Sequence, residues 1–401
     1  MHPYLIYLFN ILQITILVIL GLSLVYIFIY STAGLFYKQK PYPKATFQRQ
    51  IAVLIPGYKE DEVIVEVAEE ALLQDYPREC FDVIVIADSF TQETIAKLRQ
   101  LPIKVIEVAF EKSTKAKALN QAMELLDDSY DLAIVLDADN IMAVDFLSKM
   151  NSTFEKDWNV VQGHRTAKNL NTSWAILDAI SEEINNHIFR KGHRVLGLSS
   201  AIIGSGMAFR YKFFRELMLP VKAIGGFDKE IELKLTSAGH TVEYLNDAMV
   251  YDEKVQNSEV FRHQRRRWLS AQFHYFRQDI FKAIKALFMK GNADYFDKAI
   301  QFVQPPRILL LGGISVFGVL FIIANFWINN LPVYSAIWAI MIMMTVLTFL
   351  FAIPASFFNK KTLGALASLP KGMLLMLDSL LKIKGANKQF IHTKHTSSKT
   401  N

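Results

Sequence analysis

Two stretches of this chain contain no Asp, Glu, Lys or Arg: Tyr4 to Tyr30 and Ile308 to Phe358. Crossing an apolar layer of about 30 Å takes about 20 helical residues. The first run is long enough for one crossing. The second is long enough for two, divided at Asn329-Asn330-Leu331-Pro332, a turn signal. Tyr4 to Tyr30 has the position of a cleaved leader, but it lacks a basic start and a clear small-residue cleavage site, and its apolar run is too long. Lys38, Lys40, Lys44 and Arg49 follow the first span with no acid among them. Lys360 and Lys361 follow the last, and the tail to Asn401 is rich in lysine. Positive charge stays on the cytoplasmic side. The pattern therefore predicts a multi-pass protein of the cell inner (plasma) membrane, with its amino terminus outside and its central region and tail inside. Three crossings give that parity.

The expected organisation is a span with a basic flank over 1–45, a cytoplasmic domain over 46–292, and a two-span region with a basic tail over 293–401. The single cysteine, Cys80, excludes an internal disulfide framework and fits a reducing compartment.

Within the central region, short runs rich in Val and Ile (Ile51–Ile55, Val83–Ala87, Val105–Val108, Leu132–Leu136) alternate with segments of helical spacing (Glu62–Leu73, Gln92–Gln100, Lys115–Leu126). That alternation predicts an α/β domain with a mainly parallel sheet. Ligands of such sheets bind beyond the carboxyl ends of the strands. Those ends are acidic. The first runs into Pro56-Gly57-Tyr58-Lys59-Glu60, the second into Asp88, the fourth into Asp137-Ala138-Asp139. No glycine-rich phosphate loop follows the first strand, and Gly204-Ser205-Gly206 comes far too late to be one. A carboxylate rim points instead to a hard divalent cation, Mg2+ or Mn2+, with phosphates on its far side.

Gln264-Arg265-Arg266-Arg267-Trp268 falls in a predicted helix from Ser258 onward. Gln264, Arg267 and Trp268 share a face there, being three and four residues apart. Arg267 can pair bidentately with phosphate oxygens, and Trp268 offers a flat plate for a sugar ring. A nucleic-acid partner would need a basic groove interleaved with aromatic residues and would gain nothing from membrane spans.

In this order these motifs resemble the membrane-bound family-2 glycosyltransferases of GT-A fold, which include cellulose, hyaluronan and poly-N-acetylglucosamine synthases. The resemblance runs from Ile51 to Trp268 and extends to the arrangement of spans. It implies a Rossmann-like nucleotide-sugar-binding domain inserted between transmembrane helices. Pro56, Tyr58, Glu60, Asp88, Lys117 (of Lys117-Ala118-Leu119-Asn120) and Asp137 would bind the UDP-sugar. Asp139, with Asp137, would bind the metal. Gly204, Ser205, Gly206, Gln264, Arg267 and Trp268 would hold the diphosphate and line the acceptor site.

Two positions depart from the family pattern. Lys59 stands where the family usually has Asn. The segment that carries the base reads Phe227-Asp228-Lys229-Glu230-Ile231-Glu232-Leu233-Lys234-Leu235. Matching its leucines puts Glu230 at the position of the family's aspartate, with Asp228 as the second candidate.

The expected activity is inverting transfer from a UDP-sugar that forms β-glycosidic linkages in polysaccharide synthesis, with single-sugar transfer to a membrane lipid as the alternative. An export partner would complete a pore that three spans are too few to form. A catalytically inactive scaffold subunit and a transporter are the readings from other classes. Phe273–Met289 and Leu363–Ile383, the latter interrupted by Pro370, have the pattern of helices lying on or re-entering a membrane surface. His392 and His395 in the tail would suggest a metal, but a polar tail with scattered histidines is an ordinary terminus.

Overall fold

The computed structural model describes residues 3–39, 41–328 and 332–383. Lys40, the turn from Asn329 to Leu331, and the tail beyond Ile383 with its lysines and histidines lie outside the described residues. Among the described residues three helices are long and apolar enough to cross a membrane: Tyr4–Gly34, Arg307–Ile328 and Pro332–Ala352.

Between them lies one eight-stranded sheet. Its strands are β1 (Ile51–Tyr58), β2 (Phe81–Asp88), β3 (Lys104–Val108), β4 (Leu132–Val135), β5 (Ile141–Met142), β6 (Val160–Ala167), β7 (Met207–Arg210) and β8 (Val242–Asp252). They run in the order β3-β2-β1-β4-β7-β6-β8-β5. Strands β3, β2, β1 and β4 are parallel, as the alternation predicts. Strand β7 then enters antiparallel to β4 and β6, while β6 and β8 run parallel. The strand order reverses between β1 and β4, which opens a crevice at their carboxyl ends.

Alternate residues of the central strands feed two cores. Val53, Ile55 and Ile134 pack on one face of the sheet; Ala52, Leu54, Ala133 and Val135 pack on the other. A strand buried on both sides reads as a continuous apolar run, which is why β1 and β4 are visible in the sequence.

The first apolar helix meets the domain at a π-helical stretch, Asn186–Gly192. A Cβ on Gly192 would lie 2.1 Å from the Tyr30 carbonyl oxygen, so only glycine allows the approach. The helix Ser258–Lys290 runs unbroken for 33 residues. Its Ala271, Tyr275 and Ala283 pack with Leu233, Tyr295, Ala299 and Phe302, and Phe276 and Ile280 join that core. Phe276 and Ile280, within the stretch 273–289 expected at the membrane surface, are therefore used in packing, and the exposed large apolar residues of that stretch are Phe281, Phe288 and Met289. Leu363–Ile383 becomes two helices, Lys360–Leu366 and Leu369–Leu381, bent by 49°. Pro370 opens the second rather than interrupting one, since a first-turn proline lacks only an N–H that has no helical partner anyway.

A fully buried ion pair, Lys298 to Glu232 at 3.3 Å, joins the helix Ala293–Val303 to the helix Phe227–Ser237. Removing one partner of such a pair leaves an uncompensated charge and costs about 3–5 kcal/mol. Lys298→Met should therefore lower the thermal midpoint sharply, and adding Glu232→Gln should recover part of the loss. Unfolding of the two single variants, the double variant and the parent measures this coupling. Equal midpoints for Lys298→Met and parent would contradict it.

Candidate active site

A cavity of about 1260 Å³ opens at the crevice, and its wall includes Pro56, Tyr58, Glu60, Asp88, Asp137 and Asp139. Three strand ends thus deliver their acids to one place. Asp88 is buried and accepts from Ser89 Oγ at 2.9 Å. The turns after β1 and β2 are tied by Lys59 N–H donating to the Asp88 carbonyl at 3.1 Å. To do so Lys59 adopts φ +56°, and Ser89 adopts φ +60°. Both lie in the left-handed region, where Asn is several-fold enriched and most side chains are disfavoured. That gives a physical reason for Asn at position 59 in the resembled family. Lys59→Gly should stabilise the fold, because relief of about 1–2 kcal/mol of left-handed strain exceeds the unfolded-chain entropy of about 0.4–1 kcal/mol that glycine adds. It would read as a higher thermal midpoint in detergent; a lower one would contradict the strain.

Of the two acids after β4, Asp137 is neutralised by the protein's own cations. Lys115 Nζ forms an ion pair with Asp137 and also donates to the Gly204 carbonyl at 2.8 Å. Arg165 Nη1 stands 3.9 Å from Asp137 and 3.7 Å from Asp252. Asp139 is 5% exposed. Asn140 Nδ2 donates to it at 3.1 Å and to Asp252 at 2.9 Å. Lys168 Nζ donates to the Asp139 backbone carbonyl at 2.9 Å. Among the described residues no group of three or more His, Cys, Asp or Glu could hold a metal alone. The donor set is hard oxygen and incomplete, which suits a cation that keeps waters and takes substrate phosphate oxygens.

Beneath the rim lies a buried charge network. Glu182 pairs with Arg165 at 3.0 Å, Arg190 at 3.4 Å and Lys254 at 3.9 Å. Lys254 also pairs with Asp252 at 2.7 Å. Burial alone would raise the Glu182 carboxyl, but Arg165, Lys254 and Arg190 hold it down to about 2. Burial likewise opposes ionisation of Asp252, and Arg165 and Lys254 hold it below the usual carboxylate range. Arg165, Asp252, Glu182 and Lys254 all reach the cavity wall, and sequence reasoning missed them. The ending of β8 in Asp252-Glu253-Lys254 was the available signal, a further strand end carrying charge.

Lys117 is not on the wall. Its Nζ donates to the Lys112 carbonyl at 2.8 Å, and Lys115 takes the inward position. Two helical residues apart is a rotation of about 200°, so only one of the pair can face the site.

Gly204 lines the cavity, whereas Ser205 and Gly206 lie behind it. Ser205 Oγ accepts the Asp137 N–H at 2.9 Å and donates to Asn140 Oδ1 at 2.6 Å, buttressing the acidic turn. Gly206 has φ +62°, and a Cβ there would meet Val250 Cγ2 at 2.9 Å.

In the base segment the same rotation separates Asp228 from Glu230. Asp228 is on the wall, 3.0 Å from Lys229 Nζ. Glu230 is not; it accepts from Tyr275 Oη at 3.4 Å and lies 3.6 Å from Lys234.

Gln264, Arg267 and Trp268 share the wall, as their spacing predicts. Gln264 Oε1 is buried with no hydrogen-bond partner among the described residues. Burial lowers the proton affinity of Arg267, a desolvated charge that gains from a neighbouring anion. Trp268 is 38% exposed, and the Arg265 guanidinium sits 4.5 Å from its ring centroid, which fixes the plate. Arg265 is itself anchored by Asp178.

A family model described as "Glycosyltransferase like family 2" matches residues 48–271. The chain is 24% identical over 258 residues to an N-acetylglucosaminyltransferase of Rhizobium meliloti, across 59% of this chain and 58% of that protein. It is 25% identical over 232 residues to a beta-monoglucosyldiacylglycerol synthase of Nostoc sp., across 54% of this chain and 48% of that protein. The chain thus spans about half the length of the curated relatives it matches. A mannosyltransferase from Pyrobaculum calidifontis, solved in complex with GDP-Man and Mn2+, superposes with a TM-score of 0.52 over 84% of this chain and 97% of that one. At 17% identity this is a likeness of fold.

Proposed function

The chain belongs to glycosyltransferase family 2, and from that premise we propose that it transfers a sugar from a UDP-sugar to a membrane-held acceptor hydroxyl, with inversion, forming a β-linkage. The observation that carries the reading is the continuity of the cavity. It runs from the carboxylate rim to a wall of Phe349, Leu350, Ile353 and Phe357, beside and within the last apolar helix. An acceptor anchored in the membrane reaches the donor without leaving lipid. By the charge pattern, the catalytic region faces the cytoplasm of an inner membrane.

The proposed chemistry needs no covalent intermediate. Tyr58, Glu60 and Asp88 hold the nucleoside. Arg267 and Gln264 face the diphosphate. Asp139, with Asp137, would hold Mg2+ or Mn2+, which when bound stabilises negative charge on the departing diphosphate. The acceptor oxygen attacks the anomeric carbon as its bond to the diphosphate oxygen breaks. The acceptor proton passes to a carboxylate of the base segment, and UDP leaves. Asp228 is the better placed of the two candidates because it is on the wall.

The apolar half of the cavity favours a lipid acceptor. The Trp268 plate favours a second reading, elongation of a glycan, in which an export partner would have a place. Incubation with radiolabelled UDP-sugars and membrane lipids separates them. One organic-soluble product means lipid glycosylation; a ladder of sizes means polymerisation. No labelled product with any UDP-sugar would sink both, and would return weight to the inactive-scaffold reading.

A further inference from the structure

Arg307 stands at the junction of the polar and apolar halves of the cavity, at the start of the second apolar helix. Its guanidinium is turned inward. Nη1 donates to Asn185 Oδ1 at 2.5 Å, and Nη2 donates to the Ser181 carbonyl and to Ser181 Oγ, both at 3.3 Å. Asn185 and Ser181 are neutral. Among the described residues Arg307 makes no ion pair. The nearby acids are already engaged, Asp178 by Arg265 and Glu182 by Arg165 and Arg190. A charge in a protein wall is normally paired, and a guanidinium has five N–H donors, which three bonds do not exhaust. Beside it, Gln304 Oε1 is buried without a partner, and Gln304 too is on the cavity wall.

Much of the adjoining wall is apolar: Leu311, Val346, Phe349, Leu350 and Ile353, with Leu366 of the bent pair; Asn359, Lys360 and Thr362 also reach the cavity. A cation without an acid therefore stands at the entrance of a hydrocarbon-lined space. The complementary ligand is an amphiphile with its anionic group at the cation and its chain among the apolar residues. A guanidinium fork matches phosphate oxygens in geometry as well as charge.

We propose that Arg307 binds the headgroup phosphate of a lipid whose acyl chain occupies the apolar branch of the cavity, so that this site selects phospholipid acceptors over neutral ones. The proposal rests on the reading of a membrane-held lipid acceptor and names its chemical class. Bulk headgroups attracted to basic surface residues are the competing source of phosphate binding. They would not depend on an inward-facing arginine.

The test is binding, read on the full chain in neutral detergent with dioleoyl phosphatidic acid and dioleoylglycerol, which share acyl chains and differ by the phosphate. The Asp139→Asn protein is used as parent, so turnover plays no part in the result. The parent should bind phosphatidic acid at least about tenfold more tightly than dioleoylglycerol, a difference of about 1.4 kcal/mol. Arg307→Gln should erase that preference, Arg307→Lys should keep most of it, and Lys282→Gln, a change at the exposed surface, should leave it intact. Leu366→Trp, which fills the apolar branch from its rim, should weaken both lipids alike. The proposal is overturned if folded Arg307→Gln keeps the preference, if the parent shows none, or if Lys282→Gln erases it equally. Should Arg307→Gln fail to fold, unchanged lipid binding by Leu366→Trp overturns it instead. A protein that binds phosphatidic acid in this way yet gives no sugar product with any lipid would fail the proposed function and leave the site standing.

Discussion

Asp139→Asn should lower UDP release by about 10³-fold and leave the protein folded. The size follows from what a charge facing a developing diphosphate contributes: one preorganised electrostatic partner is worth about 10²–10³ in turnover, and a held metal several kcal/mol. The fold should survive because little structure hangs on the side chain's charge. Asn140 donates to the Asp139 carboxylate, and an amide oxygen can accept that bond. Lys168 bonds the backbone carbonyl, which the substitution keeps. The variant should also lose Mn2+ affinity in the presence of UDP, measurable by calorimetry. Turnover within a few-fold of the parent would mean that the acids after β4 do not hold the cation.

Asp228→Asn should lower turnover by about 10²–10⁴-fold, the range for loss of a general base, while Glu230→Gln should cost less than tenfold. The leucine register of the segment favours Glu230, and the structure separates the two candidates by face. Asp228 meets the cavity; Glu230 meets Tyr275 and Lys234. Lys229 Nζ donates to the Asp228 carboxylate at 3.0 Å and so orients it. Single-turnover kinetics at saturating donor would isolate the chemical step. A silent Asp228→Asn beside a dead Glu230→Gln would show that the helix turns on substrate binding and that the leucine register was the better guide.

How much was legible in the sequence follows the physics of each element. The parallel half of the sheet could be read because β1, β2 and β4 are buried on both faces and so are written in Val, Ile, Leu and Ala. The mixed half was missed because β6 carries Gln162, His164 and Arg165 inside the protein, and a strand with buried polar residues resembles a loop. The acids of the rim were legible because they interrupt apolar runs. Their cations were not. Lys115, Arg165 and Lys254 come from three distant segments and are neighbours only in the folded chain. That Lys115 rather than Lys117 faces the site is a matter of helix phase, which the motif does not carry. The spacing of Gln264, Arg267 and Trp268 sufficed to place them on one wall because a long helix keeps its register. The role of Ser205 as a buttress rather than a ligand-facing residue depends on a hydrogen bond that no motif encodes.

The most direct test of the central claim is UDP release by the purified full chain across a panel of UDP-sugars, with membrane lipids present and with Mn2+, Mg2+ or chelator. Release with one sugar, dependent on the metal and absent with chelator, is the predicted result. No release with any UDP-sugar under any of these conditions would contradict the assignment of this rim as a donor site.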